Sequence, residues 1–236
     1  MIEVTDLTVR YGGVTSLDGM SLTFANGICG LIGPNGAGKT TFFNVLSGFV
    51  RPVSGSVRAY GDNLLRAAHF RRARWGVRRT FQTEQAILDL TVYDNVAMIR
   101  SRLRGAARRA DVLTSIEFVG GGVDPYAKVG SLSAGQRRLV EVARAVTGGP
   151  RLILLDEPAA GLPDEETAHL TSVIRGIPEQ TGALTILVDH DMSLVSSVCE
   201  TTAVLDFGKL IASGPTAEVL KNEHVIRAYL GTEEEI

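Results

Sequence analysis

Apolar and polar positions alternate along IEVTDLTVRY, residues 2–11, the period of a strand with one buried face, and MSLTF after it keeps that period. ICGLI, residues 28–32, is apolar throughout, as in a strand covered on both sides. From Thr40 onward Phe42, Phe43, Val45, Leu46 and Phe49 form a helical face, RPVSG ends it, and SVRAY returns to strand. The first half therefore predicts strand, Gly-rich loop, helix in that order.

The middle, roughly Arg66 to Ser131, reads as a helical insert, with helical patterns around Val92–Arg104 and Ala106–Val119. After Ser131 the pattern is regular: helix GQRRLVEVARAV, strand RLILLDE, a helix from Glu165, strand LTILVD, helix MSLVSSVC and strand TTAVLDF. Strands alternating with helices predict a parallel sheet with helices on both faces. The closing PTAEVLKNEHVIRAYLG reads as two short helices.

Composition sharpens this picture in three places. With 236 residues and 44% hydrophobic content the chain can bury a sizeable core, and a net charge of -2 argues against a surface built throughout to coat nucleic acid. Yet residues 66–109 hold eleven arginines, Arg66, Arg71, Arg72, Arg74, Arg78, Arg79, Arg100, Arg102, Arg104, Arg108 and Arg109, against only Glu84, Asp89 and Asp94. They fit a solvated helical face as well as a docking surface for a partner. Cys29 and Cys199 lie far apart without metal-ligand spacing, so they are expected in the core of a protein kept in a reducing compartment. No apolar run reaches the roughly 18–20 residues of a membrane span, and the N-terminus lacks the basic and apolar regions of a secretory leader. Acidic residues close the chain, as in a solvated tail.

The loop after ICGLI is GPNGAGKT, which satisfies G-x-x-x-x-G-K-[ST] through Gly33, Gly38, Lys39 and Thr40 between a strand and a helix. Its glycines let backbone N–H groups turn toward a phosphate, Lys39 can reach β and γ oxygens, and the Thr40 hydroxyl can ligate Mg²⁺. LILLDE is a buried strand that delivers Asp156 and Glu157 to its C-terminal end, where Asp156 suits Mg²⁺ and Glu157 suits a water attacking the γ-phosphorus. LSAGQRR, residues 132–138, opens a helix at Ser133 and Gly135, and the free N–H groups there offer a second phosphate-binding end. Two such ends in one chain suggest nucleotides shared across a two-fold interface.

With these motifs in this order, the chain resembles the nucleotide-binding subunits of ABC transporters over nearly its whole length. The resemblance implies an α/β fold, a P-loop NTPase of ABC type, with a parallel-sheet core, an N-terminal antiparallel β subdomain and an inserted helical subdomain. It implies a single domain over residues 1–236, the helical subdomain lying at about 82–145. It also implies that Tyr11 stacks on adenine and that Pro34, Asn35, Gly36, Ala37 and Thr41 complete the ATP site with Gly33, Gly38, Lys39 and Thr40. Gln82 in RTFQ would sense Mg²⁺ and water. Ser133, Ala134, Gly135 and Gln136 would meet the γ-phosphate held by the opposite subunit, and His190 in VDHDM would contact the γ-phosphate. The catalytic set would be Glu157, His190, Gln82 and Lys39; the metal set would be Thr40, Gln82 and Asp156. Two positions depart from the family pattern. Ala134 stands where a glycine is commoner, and Pro163 stands at the usual aspartate of the D-loop, with Asp164 displaced by one.

Finer likeness in RTFQ, LTVYDNV, DEPAAGL, HDMSLV and VIRAYLG points to the branched-chain amino-acid uptake subfamily. The expected function is an ATPase motor subunit that imports branched-chain or other hydrophobic amino acids. Its cofactors would be ATP and Mg²⁺. It would pair with itself or a second ATP-binding subunit at the cytoplasmic face of the membrane, engage two permeases, and serve a solute-binding protein indirectly. Urea or amide uptake and lipopolysaccharide export are alternatives, as is a soluble ABC-type ATPase acting on nucleic acid. That last class resembles longer chains with coiled coils or two cassettes.

Overall fold

The alternating N-terminal run forms β1 (Ile2–Tyr11), paired antiparallel with β2 (Val14–Phe24) and with β4 (Ser54–Ala59) in the computed structural model, which describes residues 1–99 and 109–230. The two-residue β5 (Asp62–Asn63) completes this four-stranded sheet in the order β2-β1-β4-β5. Ile2, Val4, Leu7 and Val9 are buried, so the sequence alternation is the burial alternation of one half-covered sheet.

The chain divides into two compact units, Met1–Arg72 with Ile186–Ile236, and Ala73–Thr185. In the first, β3 (Ile28–Ile32) is buried at every position and runs parallel to β9 (Thr201–Asp206), with Cys29 opposite Thr201 and Ile32 opposite Val204. β10 (Lys209–Pro215) turns back antiparallel on β9. Helix α1 (Lys39–Ser47) buries Phe42, Phe43, Val45 and Leu46, and the Phe42 and Phe24 rings meet at 6.3 Å between centroids. Three more helices belong here, α7 (Met192–Val198), α8 (Thr216–Val219) and α9 (Glu223–Leu230).

In the second unit β6 (Val77–Arg79) runs parallel to β7 (Leu152–Asp156), and β8 (Leu184–Val188) begins here and ends in the first unit. The helices are α3 (Val92–Ala97), α4 (Arg109–Val119), α5 (Ala134–Val146) and α6 (Asp164–Thr181). Helix α2 (His69–Trp75) carries the boundary between the units.

Three sequence expectations change. The stretch from Arg66 to Ser131 is not helical throughout, because β6 lies within it. The strand β10 occupies residues that the sequence pattern left unassigned. The helix at the end of β7 starts at Asp164, one residue ahead of Glu165, with Pro163 at its N-cap and no side-chain cap. Arg100, Arg102, Arg104 and Arg108, the stretches of the two helical patterns next to them and the acidic tail lie outside the described residues; the rest of those patterns contains α3 and α4.

Three of the remaining arginines have interior partners, and two of the three lie in β6, which made that strand illegible. Arg72 is 4% exposed and donates to the carbonyls of Ala67, Val45 and Leu46, the last two at the C-terminal turn of α1, where helix carbonyls lack partners. Arg78 donates to Ala73 O at 2.7 Å and Val77 O at 3.1 Å, and burial pulls its guanidinium down to about 10. Arg79 pairs with Asp156. These three cations hold the interior together and are neither a solvated face nor a docking surface.

Candidate functional site

The loop between β3 and α1 is shaped by backbone that only glycine tolerates. Gly33 has φ 148°, and a Cβ there would stand 2.1 Å from the Leu205 carbonyl oxygen. Gly38, at φ 105°, forms the N-cap of α1 without any side-chain cap, which leaves the first N–H groups of the helix to an anion. Lys39 is 6% exposed and its Nζ donates to Gly33 O at 2.6 Å and Pro34 O at 2.9 Å, so its ammonium is folded into the hollow of the loop. Thr40 and Asn35 are exposed, as is Gly36 at φ 80°. Thr41 bonds Ser16 on β2 at 2.7 Å between hydroxyl oxygens.

The loop is propped from the β9–β10 turn. Gly208 N–H donates to Ala37 O at 3.1 Å, and Asp18 N–H donates to Gly208 O at 2.9 Å. In the same unit Tyr11 ends β1 as an exposed ring, and His190 is exposed between β8 and α7. Asp191 caps α7 by accepting from Ser193 and Leu194 N–H. The Ser193 hydroxyl bond, ahead of those backbone bonds, holds the Asp191 carboxyl below its usual range.

The second unit holds the acids. Asp156 is the buried last residue of β7. Glu157 follows at φ 47°, a left-handed conformation that costs a non-glycine residue about 1–2 kcal/mol. The two carboxylates have different partners. Asp156 Oδ2 accepts from Arg79 Nη2 at 2.8 Å, and Glu157 Oε2 accepts from Gln82 Nε2 at 2.9 Å. Gln82 and Glu157, both members of the expected catalytic set, are thus in contact. Arg138, 6% exposed, secures the segment after β6 by donating to Phe81 O at 3.1 Å and Glu141 Oε2 at 2.7 Å.

Ser133, Ala134, Gly135 and Gln136 form the N-terminus of α5. Ser133 Oγ accepts from Gln136 N–H at 3.1 Å, and Gln136 Oε1 accepts from Ser133 N–H at 3.1 Å, a reciprocal capping box. Ala134 is exposed on the first turn and Gly135 is buried. Ser133 Oγ also donates to Glu166 Oε1 at 2.8 Å, and a Cβ on Gly135 would stand 2.4 Å from the Glu166 carboxyl carbon. A carboxylate of this chain therefore rests on the helix end that the sequence assigned to a phosphate. The cleft beside it, about 520 Å³, is lined by Gly121, Ser133, Gly135, Glu165, Glu166 and His169 among others.

Sequence reasoning missed Arg79, Ser16, Glu166 and Gly208. Arg79 adjoined the TFQ stretch but was counted with the arginine cluster, and the other three carried no local signal. Among the described residues no cluster of His, Cys, Asp and Glu forms a metal site by itself. Within the second unit Asp156 and Gln82 offer a carboxylate and an amide oxygen, and in the first Thr40 offers a hydroxyl, each a hard donor of the kind Mg²⁺ takes.

Comparison with known proteins gives these motifs a family. Residues 17–160 match the ABC transporter family, and residues 209–235 match the branched-chain amino acid ATP-binding cassette transporter family. The chain is 33% identical to the high-affinity branched-chain amino acid transport ATP-binding protein BraF of Pseudomonas aeruginosa, over 98% of each. It is 32% identical to the corresponding LivG of Escherichia coli, again over 98% of each. It is 37% identical to the methionine import ATP-binding protein MetN 3 of Pseudomonas fluorescens, over 94% of this chain and 70% of that protein. Among solved structures, a nucleotide-free ATP-binding cassette from an ABC transporter superposes with a TM-score of 0.86 at 25% identity, over 97% of this chain and 98% of that one. A cassette in its ADP conformation gives 0.86 and 25% over 98% of each. The expected fold, a parallel core with an antiparallel sheet and helices between, is the fold these cassettes share. Among the described residues no helix is long and apolar enough to cross a membrane. The chain belongs to the ABC transporter family, as one of its ATP-binding ATPase subunits.

Proposed function

We propose that this subunit drives import of branched-chain or other hydrophobic amino acids by hydrolysing ATP at a site shared between two ATP-binding subunits. The observation that carries the catalytic part is the Gln82 to Glu157 hydrogen bond, which holds a carboxylate beside Asp156 at the end of β7. The solute class is supported by the match of residues 209–235 and by the names of the relatives BraF and LivG.

In this reading residues 1–236 work as one cassette, with about 82–145 as its helical subdomain. Tyr11 stacks on adenine, and residues 33–41 hold the phosphates by backbone N–H groups. Lys39 leaves the Gly33 and Pro34 carbonyls for the phosphate oxygens. Thr40, Gln82 and Asp156 hold Mg²⁺, which when bound neutralises phosphate charge. Glu157 takes a proton from the attacking water, while His190 and Lys39 stabilise the transferring phosphoryl charge. Ser133, Ala134, Gly135 and Gln136 face the nucleotide of the partner, a second copy or a related subunit. The pair sits at the cytoplasmic face of the membrane on two permeases, which receive solute from a binding protein.

The purified Glu157→Gln variant is expected to bind ATP as the unaltered chain does, to release phosphate at least about a hundredfold more slowly, and to elute as a dimer with ATP. Undiminished turnover would refute the role of Glu157, and a monomer under ATP would refute the shared site. Uptake of labelled leucine and methionine by vesicles holding the subunit and its permeases tests the solute class. Failure to accumulate either would refute it.

A further inference from the structure

Arg79 and Asp156 form a buried ion pair that ATP hydrolysis as described above does not need. Arg79 Nη2 donates to Asp156 Oδ2 at 2.8 Å, with side chains 6% and 8% exposed. The end of β6 grips the same residue by its backbone, since Asp156 N–H donates to Thr80 Oγ1 at 3.2 Å and Thr80 N–H donates to Leu154 O at 2.9 Å. The guanidinium also lies over the Phe81 ring, 4.8 Å from its centroid. It is therefore held between a carboxylate and an aromatic face on strands that register side by side, Arg79 opposite Leu154.

A buried carboxylate demands a counter-charge, and a divalent cation is ordinarily the strongest available. Here the chain supplies its own. We propose that Arg79 is a positioning residue for the metal: it holds Oδ2 of Asp156, turns the other oxygen to the ion, and keeps the carboxylate from taking a divalent cation that arrives without a triphosphate. This rests on the reading of Asp156 as the metal's carboxylate. Cations on the two oxygens of one carboxylate stand roughly 6 Å apart, and even at the dielectric of water that separation lowers the affinity for a divalent ion about tenfold. Only a ligand that brings its own negative charge, as a triphosphate does, overcomes the repulsion. Metal and nucleotide consequently enter together, and Asp156 stays neutralised between turnovers.

The test is Mn²⁺ binding to the nucleotide-free protein, followed by the spin resonance signal of free Mn²⁺. Arg79→Met removes charge and hydrogen bond, Arg79→Gln removes the charge while retaining an amide donor, and Arg79→Lys retains the charge. Both neutral variants are expected to bind Mn²⁺ at least about tenfold more tightly than the unaltered chain, and the Lys variant to match it within about twofold. Cooperative melting of each variant checks its fold. The proposal is overturned if a folded neutral variant binds Mn²⁺ no better, if the Lys variant gains as much as the Met variant, or if neither neutral variant folds. Asp156→Asn separates the underlying reading. It is expected to weaken Mn²⁺ binding by the ATP-loaded protein at least about tenfold, and an unchanged affinity would show that Asp156 is not the metal's carboxylate, whatever the Arg79 variants do.

Discussion

Gly33 and Gly36 sit three residues apart in one loop, and alanine at each asks a different physical question. At Gly36, φ is 80° and a new Cβ would meet nothing within 4 Å, so Gly36→Ala carries backbone strain alone, about 1–2 kcal/mol. At Gly33, φ is 148° and the Cβ would stand 2.1 Å from the Leu205 carbonyl oxygen and 3.1 Å from the Ala37 Cβ. Strain of about 1–3 kcal/mol is joined by overpacking of about 1–3 kcal/mol, because Leu205 is fixed in β9 and cannot swing aside. The sum, roughly 2–6 kcal/mol, is a large part of the roughly 5–15 kcal/mol that holds a domain folded. At about 2–4 °C per kcal/mol the midpoint should fall by roughly 4–24 °C for Gly33→Ala and roughly 2–8 °C for Gly36→Ala. Thermal melting by circular dichroism reads both, and nucleotide binding to the folded fraction shows whether Lys39, which rests on Gly33 O, has lost its place. Equal midpoints for the two variants, or a milder effect at Gly33, would refute the argument that the loop is pinned against β9.

Arg72→Met should cost about 2–4 kcal/mol in urea unfolding, since the carbonyls of Ala67, Val45 and Leu46 lose a buried donor; a loss under about 1 kcal/mol would contradict its capping role. Glu166→Ala in the Glu157→Gln background should lower the melting midpoint only slightly, because the Ser133 and Gln136 capping box remains and the lost carboxylate contributes ~0.3–1 kcal/mol. It should strengthen ATP-dependent pairing by roughly twofold to fivefold, as a carboxylate at a helix N-terminus contributes ~0.3–1 kcal/mol. Weaker pairing on a sedimentation assay would mean that Glu166 supports Ser133 and does not compete at it. Burial pushes the Cys199 thiol up to about 12. The unfolded chain, with an ordinary thiol, therefore loses its proton first as pH rises. The stability tied to this group is complete below about pH 8.5 and falls by about 1.4 kcal/mol per unit toward pH 12. Urea midpoints at pH 7.5 and 10 should show a smaller drop for Cys199→Ala than for the unaltered chain, and parallel drops would refute the assignment.

What the sequence disclosed and what it withheld divide along the reach of each interaction. The phosphate loop, the LILLDE strand and the signature helix were legible because each is set by neighbours in the chain: φ-tolerant glycines, an unbroken apolar run, a serine three residues ahead of a glutamine. β6 was hidden because two of its three residues are arginines, and charge reads as surface until their partners are known. Those partners, Gly148 and Asp156, lie some seventy residues on. Glu166 lies 33 residues from the Ser133 that it touches. Gln82 and Glu157 were named separately, by resemblance and by strand-end position, and the fold brings them together.

The prop under the phosphate loop carries a lesson about synthesis. Gly33 packs against Leu205, and Ala37 takes its bond from Gly208, so the loop is finished by residues made much later than itself. At ~5–20 residues per second a ribosome needs roughly 10–35 s between the two. Throughout that interval the nascent chain carries the motif without its floor, and the loop reaches its final shape only after Gly208 has been made.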